Sequence, residues 1–390
     1  MADDLSRYGG ATTQLPKLEM DDLQHAGPPP PPGSGQVITP QRQPTAATSA
    51  WYNPRGWSLR TKLIVVGVVI VVIIAVVVGA VEGTKKKAYP DYSKLNYKLV
   101  DTYSGTSFFD RFDYYSGVDP TDGFVQYINQ STSSSLNLTY ATDDSVVIKV
   151  DTSNKNAIDG RQSVRLESKM SYDTGLFIFD IIHTPYACGL WPALWLTDTY
   201  NWPENGEIDV LETNNLATEG NAVTLHTTTG CKMNVKRKET GTPNYVTCAN
   251  DTHSNAGCGV QGTPSTYGKE MNANGGGVYA LELRDAGIRA WFFSRDSIPD
   301  DIDSSAAPDP STWGTALADF PSTHCPISTH FKNQSIITNI DLCGQLGANH
   351  QFYTEQYHCP GTCKSFVRSN PSNFTEAYWE FKSFKVYQSN

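Results

Sequence analysis

A chain of 390 residues with 39% apolar residues and a formal charge of −10 has enough apolar material for a large folded body and too little positive charge for a nucleic-acid surface. From Ala88 onward the imbalance is sharper, with 34 Asp and Glu against 21 Lys and Arg. Such a surface disfavours phosphate backbones and suits a neutral polymer.

Residues 1–61 come first and hold Gly27, the run Pro28 to Pro32 and a mixture of Gly, Ser, Thr and Gln with few large apolar groups. A segment of this kind cannot bury enough surface to offset chain entropy, so a disordered, Pro-rich tail is expected. The proline run offers a polyproline II helix to an SH3-like domain, although a solvated spacer is the simpler reading.

Leu63 to Val81 is an unbroken apolar run of 19 residues, rich in Val and Ile. That length spans a bilayer core, and a transmembrane helix is predicted over 62–82, followed by a linker over 83–100. A cleaved signal peptide fits less well, because the run begins some sixty residues in and leads to Lys85, Lys86 and Lys87 without a small-residue cleavage site. Arg55, Arg60 and Lys62 balance those three lysines, so flanking charge leaves the orientation undecided. The residues beyond the helix decide it. All eight cysteines, Cys188, Cys231, Cys248, Cys258, Cys325, Cys343, Cys359 and Cys363, follow the helix. An even set on one side points to an oxidising compartment and up to four disulfides, with the pairing open. Five Asn-X-Ser/Thr sequons, at Asn129, Asn137, Asn250, Asn333 and Asn373, lie on the same side. The expected topology is therefore type II, with the tail cytosolic and residues 101–390 lumenal or extracellular.

Within 101–390, short β-branched or aromatic runs recur with turn residues between many of them. They are Ser145 to Val150, Ser163 to Leu166, Gly175 to Phe179, Ala222 to His226, Val278 to Leu283, Ile288 to Phe293, Ser335 to Thr338 and Phe381 to Val386. No long amphipathic helix interrupts them, and Asp296 to Pro310 reads as a long surface loop. An all-β domain is predicted, a β-sandwich of two sheets.

One hexapeptide carries the chemistry, Glu207-Ile-Asp-Val-Leu-Glu212. In a strand, Glu207 and Asp209 share one face while Ile208 and Val210 take the other, and strict alternation would bring Leu211, not Glu212, to the acidic face. A β-bulge around Val210 and Leu211 would return Glu212 to it, and such a bulge is predicted. Three carboxyls this close cannot all ionise freely, so at least one should hold a proton near neutrality. A nucleophile and a proton donor so placed are what cleavage of a glycosidic bond with retention needs; a solvated acidic strand face is the alternative. Three tryptophans precede the acids, Trp191, Trp195 and Trp202. Trp191 is expected in the core, and Trp195 and Trp202 in a cleft where indole faces stack on sugar rings.

This hexapeptide, preceded by Trp191-Pro-Ala-Leu-Trp195, resembles family 16 of the glycoside hydrolases, specifically the fungal endo-1,3(4)-β-glucanases or laminarinases. Further matching stretches are Ser107-Phe-Phe-Asp-Arg-Phe-Asp113, Asp119-Pro-Thr-Asp-Gly-Phe124, Ser163-Val-Arg-Leu-Glu-Ser-Lys169, Tyr172-Asp-Thr-Gly-Leu-Phe-Ile178, Gly275-Gly-Gly-Val-Tyr-Ala280, Trp291-Phe-Phe-Ser-Arg295 and Tyr378-Trp-Glu380. Together they cover about the last three quarters of the chain. The resemblance implies a jelly roll of two antiparallel sheets with a concave cleft. It also implies Glu207 as nucleophile, Asp209 as assisting carboxylate, Glu212 as general acid/base, His226 beside them, and Trp195 and Trp202 lining the glycone side. One departure is Leu346 in Cys343-Gly-Gln-Leu346, where relatives commonly carry a tryptophan, which alters one sugar-stacking contact.

The expected activity is endo-acting, retaining hydrolysis of β-1,3 or mixed β-1,3/1,4 glucan with no cofactor; no loop has the pattern of an EF-hand, so no metal ligands are assigned. A membrane-anchored glucan transglycosylase is the nearest alternative. A non-catalytic glucan sensor is a further one, weakened by the intact set of acids.

Overall fold

The computed structural model describes residues 56–84, 89–303 and 307–389. The proline run and almost all of the expected tail lie outside these residues, as do Lys85, Lys86 and Lys87. The chain divides into two units, Met1–Ala80 and Val81–Asn390.

In the first unit a helix begins at Leu59, and the whole helix runs Leu59–Thr84. Ser58 starts it, its hydroxyl accepting from Thr61 N at 3.2 Å and its carbonyl from Lys62 N at 3.0 Å. The span Leu59–Val76 has a mean hydropathy of 2.6 and none of it is buried, so it is long and apolar enough to cross a membrane. The helix exceeds the predicted 62–82 at both ends, by its capped first turn and by Gly83 and Thr84.

The second unit is the predicted two-sheet β-sandwich. One eight-stranded sheet runs in the order Ala318–Pro321, Gly287–Ser294, Gly277–Arg284, Gly175–His183, Tyr378–Ser389, Val146–Lys149, Thr139–Ala141, with Tyr97–Ser104 also paired to Tyr378–Ser389. The other runs Thr242–Pro243, Cys258–Gln261, Ala222–His226, Glu207–Glu212, Leu190–Thr197, Gln334–Leu342, Arg165–Tyr172, Phe112–Tyr114. All pairings in both are antiparallel. Alternation sorts the residues. Leu194, Leu196, Ile208, Leu225, Ile336 and Ile340 from one sheet pack in a single core with Phe177, Phe179, Leu281, Phe381 and Phe384 from the other. The opposite face of the Glu207–Glu212 sheet is left for polar and aromatic groups.

The expected linker 83–100 is docked from Tyr89 onward. Tyr89 and Tyr92 donate their hydroxyls to the buried Asp319 at 2.8 and 3.2 Å, and Tyr97 donates to Glu282 at 3.0 Å. Tyr97 also opens the strand Tyr97–Ser104, so the folded body starts before residue 101. The expected loop Asp296 to Pro310 contains a short helical turn, Asp300–Asp303, because Asp301 accepts the Trp313 indole N–H and the Asp309 amide.

The eight cysteines form four disulfides, Cys188–Cys359, Cys231–Cys325, Cys248–Cys258 and Cys343–Cys363.

Candidate active site

The predicted bulge is present. Against the strand Leu190–Thr197, Asp209 pairs with Trp195 and Leu211 pairs with Leu194, so Val210 is the extra residue. Against Ala222–His226, Glu207 pairs with His226, Asp209 with Thr224 and Glu212 with Ala222. A bulge forfeits ladder hydrogen bonds, and the buried Asn221 replaces them. Its Oδ1 accepts from Glu212 N at 2.9 Å and its Nδ2 donates to Val210 O at 2.8 Å. Gly206 sets the entry to the strand at φ 70°, where a Cβ would lie 2.4 Å from the His330 carbonyl.

Glu207, Asp209 and Glu212 thus share the face away from the core. Burial, and then the charge of Asp209, push both Glu207 and Glu212 above the ordinary carboxylate range. His226, 6% exposed, works against this from across the strand pair. Its Nε2 lies 3.3 Å from Asp209 Oδ2 and its Nδ1 lies 3.1 Å from Asn255 Oδ1. Burial alone would push the imidazole down, but Asp209, with Glu207 and Glu212 behind it, lifts it to about 10. The carboxyl cluster thus favours the protonated form of its neighbouring imidazole. Ligand atoms of Glu207, Asp209 and His226 lie within 4.8 Å of one another. A metal ion could use that spacing only after His226 lost a proton, since an imidazolium has no lone pair to give.

The tryptophans divide differently from expectation. Trp191 is not a core residue: it stands half-buried and donates Nε1–H to Glu212 Oε1 at 2.8 Å. Residues four apart in a strand share a face, so Trp191 goes with Trp195 while Leu190, Leu194 and Leu196 take the core. Trp195 donates to Asn339 Oδ1 at 2.8 Å, and the Arg165 guanidinium lies 5.1 Å over its ring, so the indole is pinned on the outer face of the sheet. Trp202 is 40% exposed on the loop before Glu207, and its indole favours the ionised form of that acid. Asp198 anchors this loop, accepting amide hydrogens from Asn201, Asn205 and Asn333 at 2.9, 2.8 and 3.0 Å.

The structure brings Glu207, Asp209, Glu212, His226 and Trp195 to one region of one sheet, with Trp202 on the loop that leads into it. Among the sequon residues, Asn129, Asn137, Asn333 and Asn373 are exposed and Asn250 is half-buried. Asn129 also caps a short helix through Thr132 N, and the Asn333 amide is engaged by Asp198.

The family model described as the XgeA-like, catalytic GH16 domain matches residues 112–387. A probable glycosidase of Schizosaccharomyces pombe is 46% identical over 305 residues, 77% of this chain and 71% of the relative. A probable endo-1,3(4)-β-glucanase of Aspergillus niger is 39% identical over 306 residues, 75% of this chain; the chain spans only 40% of that longer protein. Among solved structures, laminarinase 16A from Phanerochaete chrysosporium, seen with β-glucans in its donor and acceptor sites, is 41% identical with a TM-score of 0.73 and covers 75% of this chain and 99% of its own. An elongating family 16 β-1,3-glucosyltransferase is 39% identical with a TM-score of 0.70, covering 75% of this chain and all of its own.

Proposed function

We propose that this chain, which belongs to the XgeA-like, catalytic GH16 family, is a membrane-anchored, endo-acting and retaining β-glucanase for β-1,3 or mixed β-1,3/1,4 glucan. The observation that carries the reading is the Val210 bulge, which puts Glu207, Asp209 and Glu212 on one face. In the first step a Glu207 carboxylate oxygen bonds to the anomeric carbon as the glycosidic C–O bond breaks, and Glu212 gives its proton to the departing oxygen. In the second step Glu212 takes a proton from water, whose oxygen bonds to the anomeric carbon and releases Glu207. Asp209 and His226 together tune the two outer acids. Trp195 and Trp202 supply stacking surface for sugar rings.

Digestion of laminarin, lichenan, barley glucan and cellulose, with product anomers followed by NMR, tests this. Early release of β-anomers from the first three supports it. Initial release of α-anomers, or wild-type turnover by Glu207→Ser, overturns the mechanism.

A second reading, transfer of the glycosyl group to a sugar hydroxyl, is favoured by the similarity to the elongating glucosyltransferase. Laminarin oligosaccharides decide between them. Products longer than the donor, dominant at modest substrate concentration, would make transfer the main activity.

The Leu59–Thr84 helix serves as a type II anchor in this proposal, with the four disulfides and five sequons on the lumenal or extracellular side. Protection of the β-unit from protease in sealed microsomes, with a mobility shift on deglycosylation, is the expected result.

A further inference from the structure

His226 is held from three sides. Asp209 faces Nε2, Asn255 Oδ1 faces Nδ1, and the backbone at Gly257 faces Cε1 so closely that a Cβ there would lie 2.8 Å from that atom. Asn255 and Gly257 belong to one loop, closed at its ends by Cys248–Cys258. The loop is held in an unfavourable backbone state: His253, Ser254 and Asn255 have φ of 50°, 55° and 61°, three consecutive non-glycine residues in the left-handed region. Cross-links fix it there. Asn250 N donates to Thr227 O at 2.8 Å, Asn255 N to Thr252 O at 3.0 Å, and His253 stacks on Tyr245 with centroids 4.7 Å apart. Its side-chain contact with the sheet is made by Asn255, itself exposed, whose Oδ1 meets the buried His226 Nδ1 at 3.1 Å.

We propose that Asn255 is a positioning residue of the catalytic machinery, holding His226 as an imidazolium against Asp209, and that the Cys248–Cys258 disulfide keeps Asn255 in place. The amide oxygen accepts the Nδ1 hydrogen, which leaves Nε2 as the ring nitrogen beside Asp209, at the ion-pair distance of 3.3 Å from an Oδ2 that has no other partner. The charged groups acting on the ring are Asp209, Glu207 and Glu212, all on the neighbouring strand; the loop contributes only the neutral Asn255 to it. With the cation fixed there, the ionised state of Glu207 is favoured. Losing it would require a higher pH to ionise the nucleophile. The kinetic part of this inference rests on the glucanase reading, whereas the state of the ring does not.

Two measurements test it. In the free protein, imidazole ¹⁵N NMR should show His226 carrying hydrogen on both nitrogens at neutral pH, and Asn255→Leu should abolish the slowly exchanging Nδ1–H signal. In laminarin hydrolysis, Asn255→Leu should lower kcat roughly ten- to a hundredfold, leave KM nearly unchanged and move the acid limb of the pH profile to higher pH. Asn255→Asp, which also accepts a hydrogen bond, should restore both signal and profile. Cys248→Ser/Cys258→Ser should behave like Asn255→Leu. A neutral His226 in the wild-type protein at pH 7, an Asn255→Leu enzyme with an unshifted profile, or a folded Asn255→Asp no better than Asn255→Leu would overturn the proposal. A wild-type protein with the expected ring signals and no action on any glucan would overturn the glucanase reading instead.

Discussion

Trp191 donates its indole N–H to Glu212 Oε1 at 2.8 Å and so reaches the general-acid candidate directly. The bond stabilises the ionised form of Glu212, opposing the burial and the Asp209 charge that push this carboxyl up. Trp191→Phe keeps most of the apolar contact and loses only the donor. Glu212 should then hold its proton to higher pH, and the alkaline limb of the kcat profile should move up. A pH–rate series on laminarin checks this, and an unmoved or lowered alkaline limb counts against Glu212 as the acid.

Asn221 is the second point of leverage. Asn221→Ala leaves the Glu212 amide and the Val210 carbonyl without their partners, at a cost of about 1–3 kcal/mol for each buried group left unpaired. Urea unfolding should show a lowered midpoint with an unchanged slope, and the folded variant should lose activity as the bulge relaxes. Asn221→Asp supplies the acceptor but not the donor and should fall between the two.

The acids assigned to the proposed reaction are held at the expense of stability. Because the Glu212 pKa is raised in the folded protein, its ionisation disfavours folding as pH climbs above the ordinary carboxylate range. Glu212→Gln should therefore melt higher than wild type at pH 8 and show no such gain at pH 4. Each kcal/mol regained is worth roughly 2–4 °C in a domain of about 200 residues, and somewhat less in this larger one. Differential scanning calorimetry at the two pH values reads the difference.

Asp198 has the opposite sign. Burial would raise it, but the amides of Asn333, Asn201 and Asn205 outweigh that and hold it at about 2. Its contribution to folding is complete above its ordinary value of 3.8 and fades as pH falls toward 2. Asp198→Ala should flatten that part of the acid unfolding curve. By freeing the loop that carries Trp202, it should also raise KM for laminarin by roughly tenfold, the equivalent of about 1.4 kcal/mol of binding, while kcat changes less.

Particular residues show how much was legible in the chain. The runs from Ala222 to His226 and from Ile288 to Phe293 lie within observed strands because β-branched and aromatic side chains fit a pleated, half-buried surface. The bulge was readable because Glu212 falls one position out of step with Glu207 and Asp209. Trp191 lies outside the core in which it was expected: its spacing of four from Trp195 in a strand puts the two on one face. Asn221 and Asn255 left no local sign, since they act on groups 9 and 29 residues away through contacts that exist only in the folded sheet. Disulfide pairing is hidden for the same reason. Cys188 and Cys359 are 171 positions apart.

The Val210 bulge has one more consequence. A strand of unbroken alternation would present its acids at equal intervals, and a polymer lying across them would meet the same spacing from either end. With one residue added between Asp209 and Glu212, the two outer carboxyls stand in inequivalent settings, one beside Trp202 and His226, the other beside Trp191. A glucan chain also has a direction, and in the proposed reaction only one sense of travel presents its departing oxygen to Glu212. In that reaction the extra residue makes the acidic face a one-way track.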